Sequence, residues 1–143
     1  MSEENKALAR RYFEEIWNQG NLDVIPEIIA ANHVHHDPAN PGASGPEGMK
    51  QLVSMYRAAF PDTRFTVEDQ IAEGAKVVTR WTARGTHQGE LMGIAPTNKT
   101  MELTGMDIYR IVNGMIEEHW SNWDTIGLLQ QLGVVPAPGE GGA

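Results

Sequence analysis

The stretch TMELTGMDIYRIVNGMIEEHWSNWDTIGLLQQLG, residues 100–133, decides the fold. Thr100 to Val112 reads as a long strand. Asn113-Gly114 follows, the strongest short-range hairpin signal, because a two-residue turn of the matching twist needs positive φ at both central residues. Met115 to Trp123 is then the last strand and Thr125 to Leu132 a closing helix, with Gly133 at its C-terminal end. Alternation along the last strand puts Ile116, Glu118, Trp120, Asn122 and Asp124 on one face. Met115, Glu117, His119, Ser121 and Trp123 take the other, unless a bulge reverses the parity.

Upstream, Lys76 to His87 and the segment from Arg64 also show period two, with a turn at Gly74 between them. The period before Arg64 is helical. Leu8, Tyr12 and Ile16, widened by Phe13 and Trp17, predict a helix over Glu3–Asn18 that stops at Gly20. Asn21 is a suitable N-cap for a short helix from Leu22 to Ala31. Ser44-Gly45-Pro46-Glu47 has the form of a capping box opening a helix over Pro46–Phe60. Between these helices lies the polar stretch His33-Val34-His35-His36-Asp37-Pro38. Helices first, then an antiparallel meander, then a helix is an α+β order. A long twisted sheet covered by helices on one face curls into a cone. The expected fold is therefore a conical barrel, its curved antiparallel sheet wrapped on the N-terminal helices around an enclosed pocket. Residues 1–135 form one domain in this reading, and the Pro/Gly-rich tail Pro136–Ala143 is expected to lack order.

Composition narrows the chemistry. The 143 residues carry a net charge of −8 and no Lys/Arg cluster, which disfavours nucleic acid. No apolar run is long enough to span a membrane, and the acidic start lacks the apolar core of a secretory leader. With no cysteine there is neither a disulfide nor a thiolate nucleophile; this fits the cytoplasm. Phosphate loops, dinucleotide fingerprints and Gly-x-Ser-x-Gly elbows are all missing. Acid/base chemistry by Asp and His on an enclosed organic molecule remains.

Asp124, at the passage from last strand to closing helix, is a helix N-cap and, if buried, a carboxylate of raised pKa suited to proton transfer. His36 lies in a His-His-Asp run, but adjacent histidines on an extended segment point opposite ways, so no metal is expected. Arg80 and His87 are seven apart on one strand, so one of them is expected to face the pocket. Asp107, between Met106 and Ile108, needs a partner if buried. The aromatic and methionine residues Trp17, Tyr56, Trp81, Met92, Met106, Trp120 and Trp123 suit core or pocket wall, and together a flat hydrophobic ligand.

Several of these segments resemble one family. They are Gly85-Thr86-His87-Gln88-Gly89-Glu90 with Gly93-Ile94, Gly105 to Ile111, Gly114, Ile116, Glu118-His119-Trp120, Asp124 and Leu129–Gly133. Phe60-Pro61-Asp62 and His36-Asp37-Pro38 fit the same pattern. From Asn5 to Gly133 the chain resembles the SnoaL-like polyketide (ester) cyclases of the nuclear-transport-factor-two-like superfamily. The resemblance implies a site without cofactor or metal, in which an aspartate serves as general acid/base for an intramolecular aldol closing the last ring of an aromatic polyketide ester. Asp124 matches that aspartate and His36 a pocket histidine. His87, Arg80, Asp107, Tyr56, Trp120 and Met106 are the candidate substrate contacts. The implied partner is a hydrophobic or aromatic small molecule. Related domains pair through the open sheet face into homodimers, sometimes tetramers. Other activities use the same cone. A limonene-type epoxide hydrolase needs two carboxylates bridged by arginine, here Asp107, Arg80 and Asp124. An isomerase or dehydratase needs only an Asp and a donor, and a binding protein or dimerisation module needs neither.

Overall fold

In the computed structural model, which describes residues 2–136 and 139, four antiparallel strands form the expected meander. They are β2 (Arg64–Glu73), β3 (Lys76–Thr86), β4 (Thr100–Val112) and β5 (Met115–Trp123). The turn between β4 and β5 has both central residues at positive φ, Asn113 at 51° and Gly114 at 75°, as the Asn-Gly pair requires. Helix α3, Gly45–Ala59, and the closing helix α4, Thr125–Gln131, lie where their periodicity put them.

The fifth strand corrects the sequence reading. The short helix ends early, as a 3₁₀ turn Leu22–Val24 and α2, Ile25–Ile28. Ile29–His36 is strand β1, parallel to β5, so the sheet order is β1-β5-β4-β3-β2. Its burial alternates, with His33 and His35 inward and Val34 and His36 outward. A parallel edge strand has no turn to announce it; its partner lies more than eighty residues away.

Two further departures matter for the site. Helix α1, Ser2–Arg11, continues as a π-helix over Tyr12–Asn18, which buries Tyr12, Phe13, Ile16 and Trp17 together. The Arg57 guanidinium donates to the Trp17 carbonyl, satisfying the helix end. Asn18 pairs through its amide with both backbone groups of Phe65, tying the helix to β2. Ser44 stands before α3 but makes no side-chain cap; its hydroxyl accepts from the His35 amide instead.

A bulge sets which face of β5 looks inward. Arg110 pairs with Glu118 and Ile111 with Ile116, so Glu117 is the extra residue. Ile116 is therefore buried on the same side as His119 and Ser121, although simple alternation separates them. Inside the curl, the core packs Tyr12, Phe13 and Ile16 against the inward residues of β3, β4 and β5. The tail expected to lack order lies outside the described residues except for Pro136 and Gly139.

Candidate active site

The curl leaves a cavity of about 620 Å³, its open mouth included. Aromatic side chains from five elements wall it: Trp17 from the π-helix, Tyr56 from α3, Phe65 and Trp81 from β2 and β3, and Trp123 from β5. The polar groups on its surface are His35, Asp37, Asn40, Thr63, Asp107 and Ser121, besides the Tyr12 and Tyr56 hydroxyls. Among the described residues, no lysine or arginine lines it.

Asp107 organises the deep end. Its side chain is 4% exposed. Trp81 Nε1 donates to Oδ1 at 3.1 Å, while Tyr109 Oη and His119 Nε2 reach Oδ2 at 2.8 and 2.9 Å. Ser121 stands directly across the β4–β5 ladder, close enough to favour the ionised carboxyl further. Burial pushes the Asp107 carboxyl up, but the pull of His119 and the donors from His119, Tyr109 and Ser121 outweigh it. The carboxyl titrates below its ordinary value and is ionised at neutral pH. Burial, and then the Asp107 charge, hold the Tyr109 and Tyr12 phenols well above their usual pKa; both are protonated.

Three imidazoles stack beside this carboxylate. His35 lies over His119 with centroids 4.3 Å apart, and His33 is 6.1 Å from each. Burial first, and then repulsion from the neighbouring rings, depresses His33 to about 3 and His35 to about 4, so both are neutral at pH 7. Among the described residues no cluster of three or more such side chains is arranged to hold a metal ion.

Asp37 stands at the end of β1 on the inward face. Its Oδ1 accepts from the Ala39 amide at 2.9 Å, and its Oδ2 from Asn40 Nδ2 at 2.8 Å and Trp123 Nε1 at 3.3 Å. Tyr56 Oη reaches Asn40 Oδ1 at 3.3 Å.

Of the side chains expected at the site, the structure brings Asp107 and Tyr56 to the cavity and leaves six elsewhere. Asp124 is exposed, and its Oδ1 accepts from the Gly127 amide at 2.9 Å: the carboxylate caps α4 and does not line the cavity. His36 faces outward, stacked on Trp120 at 5.4 Å and bonded to Glu118 at 2.8 Å. Trp120 is on the same outer face, with the Lys76 ammonium 5.6 Å from its ring. Arg80 and Met106 pair across β3 and β4 and also point out, Met106 being 56% exposed. His87 is buried but lies past the end of β3, where it binds Thr97 and packs on Phe60. Neither Arg80 nor His87 lines the cavity, and the Asp107–Arg80–Asp124 set is not assembled.

Of the cavity side chains the sequence reading did not single out, His35, Asp37 and Ser121, the first two had one usable signal. Reading 29–36 as a strand places His33, His35 and Asp37 on one face by parity.

Gly105 supports Asp107 indirectly. It sits between Trp81 and Trp123 in the ladder, and a Cβ there would stand 2.3 Å from Trp81 Cζ2. The glycine lets the indole lie across β4 with its N–H on Asp107. Gly105→Ala is therefore expected to displace the indole and cost about 1–3 kcal/mol in urea unfolding. Unchanged stability together with unchanged tryptophan fluorescence would show that the ring has room.

A curled sheet over helices, around an aromatic cavity with two inward carboxylates and neutral imidazoles, gives a small-molecule pocket on a conical α+β fold. The model of the SnoaL-like polyketide cyclases matches residues 7–132, and the chain belongs to that family. It is 33% identical over 124 residues to the nogalonic acid methyl ester cyclase of Streptomyces nogalater, covering 82% of this chain and 89% of that protein. Similarity to the aklanonic acid methyl ester cyclase AcmA of Streptomyces galilaeus is 30% over 140 residues, 93% of this chain and 92% of that one. Among solved structures, TsrD from Streptomyces laurentii superposes with a TM-score of 0.85 at 26% identity, covering 94% of this chain and 98% of the other. IdmH from Streptomyces antibioticus gives 0.77 at 35%, with 91% and 99% covered. No helix among the described residues is long and apolar enough to cross a membrane.

Proposed function

We propose that this chain closes a carbocyclic ring in an aromatic polyketide ester by an intramolecular aldol addition, using its own acid/base side chains and no cofactor. The observation that carries this reading is the cavity lining: aromatic walls for a flat conjugated ligand, carboxylates and neutral imidazole for proton transfer, and, among the described residues, no lining lysine or arginine. Buried carboxylates without a lining cation favour an uncharged ester over a free carboxylate, whose charge would be desolvated beside like charge. Conjugation acidifies the carbon acid, so a carboxylate base suffices, and neutral donors stabilise the enolate as it forms. The relatives act on methyl esters of nogalonic and aklanonic acid by name, which supports the same substrate class here. The test is incubation of the purified chain with each ester. The expected product is a ring-closed isomer of unchanged mass, and recovery of both esters unconverted contradicts the reading.

The rest of this reading concerns assembly and place. Residues 1–135 act as one domain, in keeping with the extent of the family match, and the protein works in the cytoplasm. The outer sheet face carries a row running straight across all five strands: Ile71, Val78, Ile108, Trp120 and His36. Ile71 is 65% exposed, an apolar stripe that a second copy would cover in a homodimer. Ile71→Asp combined with Ile108→Asp is expected to halve the mass seen by light scattering. A wild type that is already monomeric at micromolar concentration contradicts the dimer.

A further inference from the structure

Two carboxylates among the described residues line the cavity, and their acceptor sites are unequally filled. A carboxylate offers about four lone-pair sites. At Asp107, three donors hold them at 2.8–3.1 Å, the Trp81 indole, the Tyr109 hydroxyl and His119 Nε2, and the Ser121 hydroxyl stands beside the carboxylate. A base must present a free lone pair to the proton it removes, so Asp107 is a fixed negative charge. At Asp37 three donors are present: the Ala39 amide, Asn40 Nδ2 and, at 3.3 Å, Trp123 Nε1. One site remains open on a residue that lines the cavity and is 7% exposed.

The neighbour two residues back on the same face is His35, also lining the cavity and 6% exposed. Neither of its ring nitrogens makes a hydrogen bond of normal geometry; the Ala43 main chain is close enough only to favour the protonated ring slightly. A neutral imidazole has one N–H and one lone pair. With the Ala43 main chain near one nitrogen, the other is left without a partner in a ring that lines the cavity.

We infer that Asp37 is the general acid/base of the ring closure and His35 the neutral donor to the reacting oxygen, an assignment that rests on the function proposed above. The Asp37 carboxylate removes a proton α to a carbonyl. The C–H electron pair becomes the enolate, whose oxygen accepts the His35 N–H. The enolate carbon attacks the second carbonyl, forming one C–C bond and converting C=O to alkoxide. The alkoxide takes the proton from Asp37, which returns to its carboxylate. Every atom of the substrate is retained.

Proton abstraction can be read without ring closure. The probe is phenylacetone, an aromatic ketone whose α-hydrogens exchange slowly in D₂O, followed by proton NMR below the melting temperature of each variant. Wild type is expected to accelerate exchange. Asp37→Asn, which keeps the side-chain shape, should lose it by about 10²-fold or more, the scale of a general base. Asp37→Glu, which keeps the carboxylate, should recover part of the rate, and His35→Gln should lower kcat more than it raises KM. Exchange by Asp37→Asn at the wild-type rate overturns the assignment. So does a wild type that leaves exchange at the background rate, or an Asp37→Glu variant that folds but recovers nothing. A wild type that exchanges the ketone but closes neither ester removes the ring-closure reading and leaves Asp37 as the base.

Discussion

Asp107→Ala is expected to lose about 3–5 kcal/mol of stability, a large part of what holds a domain of this size folded. The loss has little to do with volume. Removing the carboxylate leaves the Trp81 N–H, the Tyr109 hydroxyl and His119 Nε2 buried without their acceptor. Asp107→Asn should lose less, because the amide oxygen still accepts while its NH₂ confronts a donor. Urea unfolding at pH 7 orders the three proteins. A loss below 1 kcal/mol for the alanine variant means that the donors find other partners and that the deep end of the cavity is not held by Asp107.

Acid should unfold the protein through the histidine stack before it does so through the carboxylates. His33 and His35 titrate at about 3 and about 4 in the fold, against 6.5 when free. Above pH 6.5 both rings are neutral in the folded and the unfolded chain, and the full stability is present. As pH falls below 6.5 the unfolded chain takes up protons that the folded one refuses, so stability drops. By pH 4 the loss approaches about 3 kcal/mol per ring, at 1.36 kcal/mol for each pH unit. Asp37 and Asp107 pull His35 upward and keep its window narrower than that of His33, on which no carboxylate acts. Carboxyls held below their usual range, such as Asp62 on the Thr86 amide and hydroxyl, add their loss only at lower pH. The check is urea unfolding from pH 7 to pH 4.5 for wild type and the His33→Gln, His35→Phe pair. Wild type should weaken steeply and the double variant much less. A flat wild-type profile contradicts the buried neutral stack.

What the sequence made legible follows from where each signal is stored. The Asn113-Gly114 turn, the closing helix and the stripe of Tyr12, Ile16 and Trp17 are local, and they lie where expected. Strand β1 is not local: its ladder is with β5, and no turn marks it. The site suffered more than the fold, because a strand's inward face depends on single residues. The bulge at Glu117 reverses parity along β5, so Trp120 looks out while Ser121 and Trp123 look in. On β1 the same one-residue alternation turns His35 inward and His36 outward. Asp107 was legible as a carboxylate that needs partners, and four of them surround it. For Asp124 the two readings, helix cap and buried acid, were both open in the sequence; the structure has the cap.

That last point separates this account from the family expectation. If the chemistry lies inside the cone, the carboxylate at the start of α4 takes no part in it. The measurement is kcat/KM of Asp124→Ala on whichever of the two methyl esters is turned over, taken well below its melting temperature. Losing the cap should cost about 1 kcal/mol of stability. We expect kcat/KM within about threefold of wild type, less than 1 kcal/mol of transition-state stabilisation. A fall of 10²-fold or more in a folded Asp124→Ala would place the acid/base chemistry at Asp124 and contradict the assignment of the cavity.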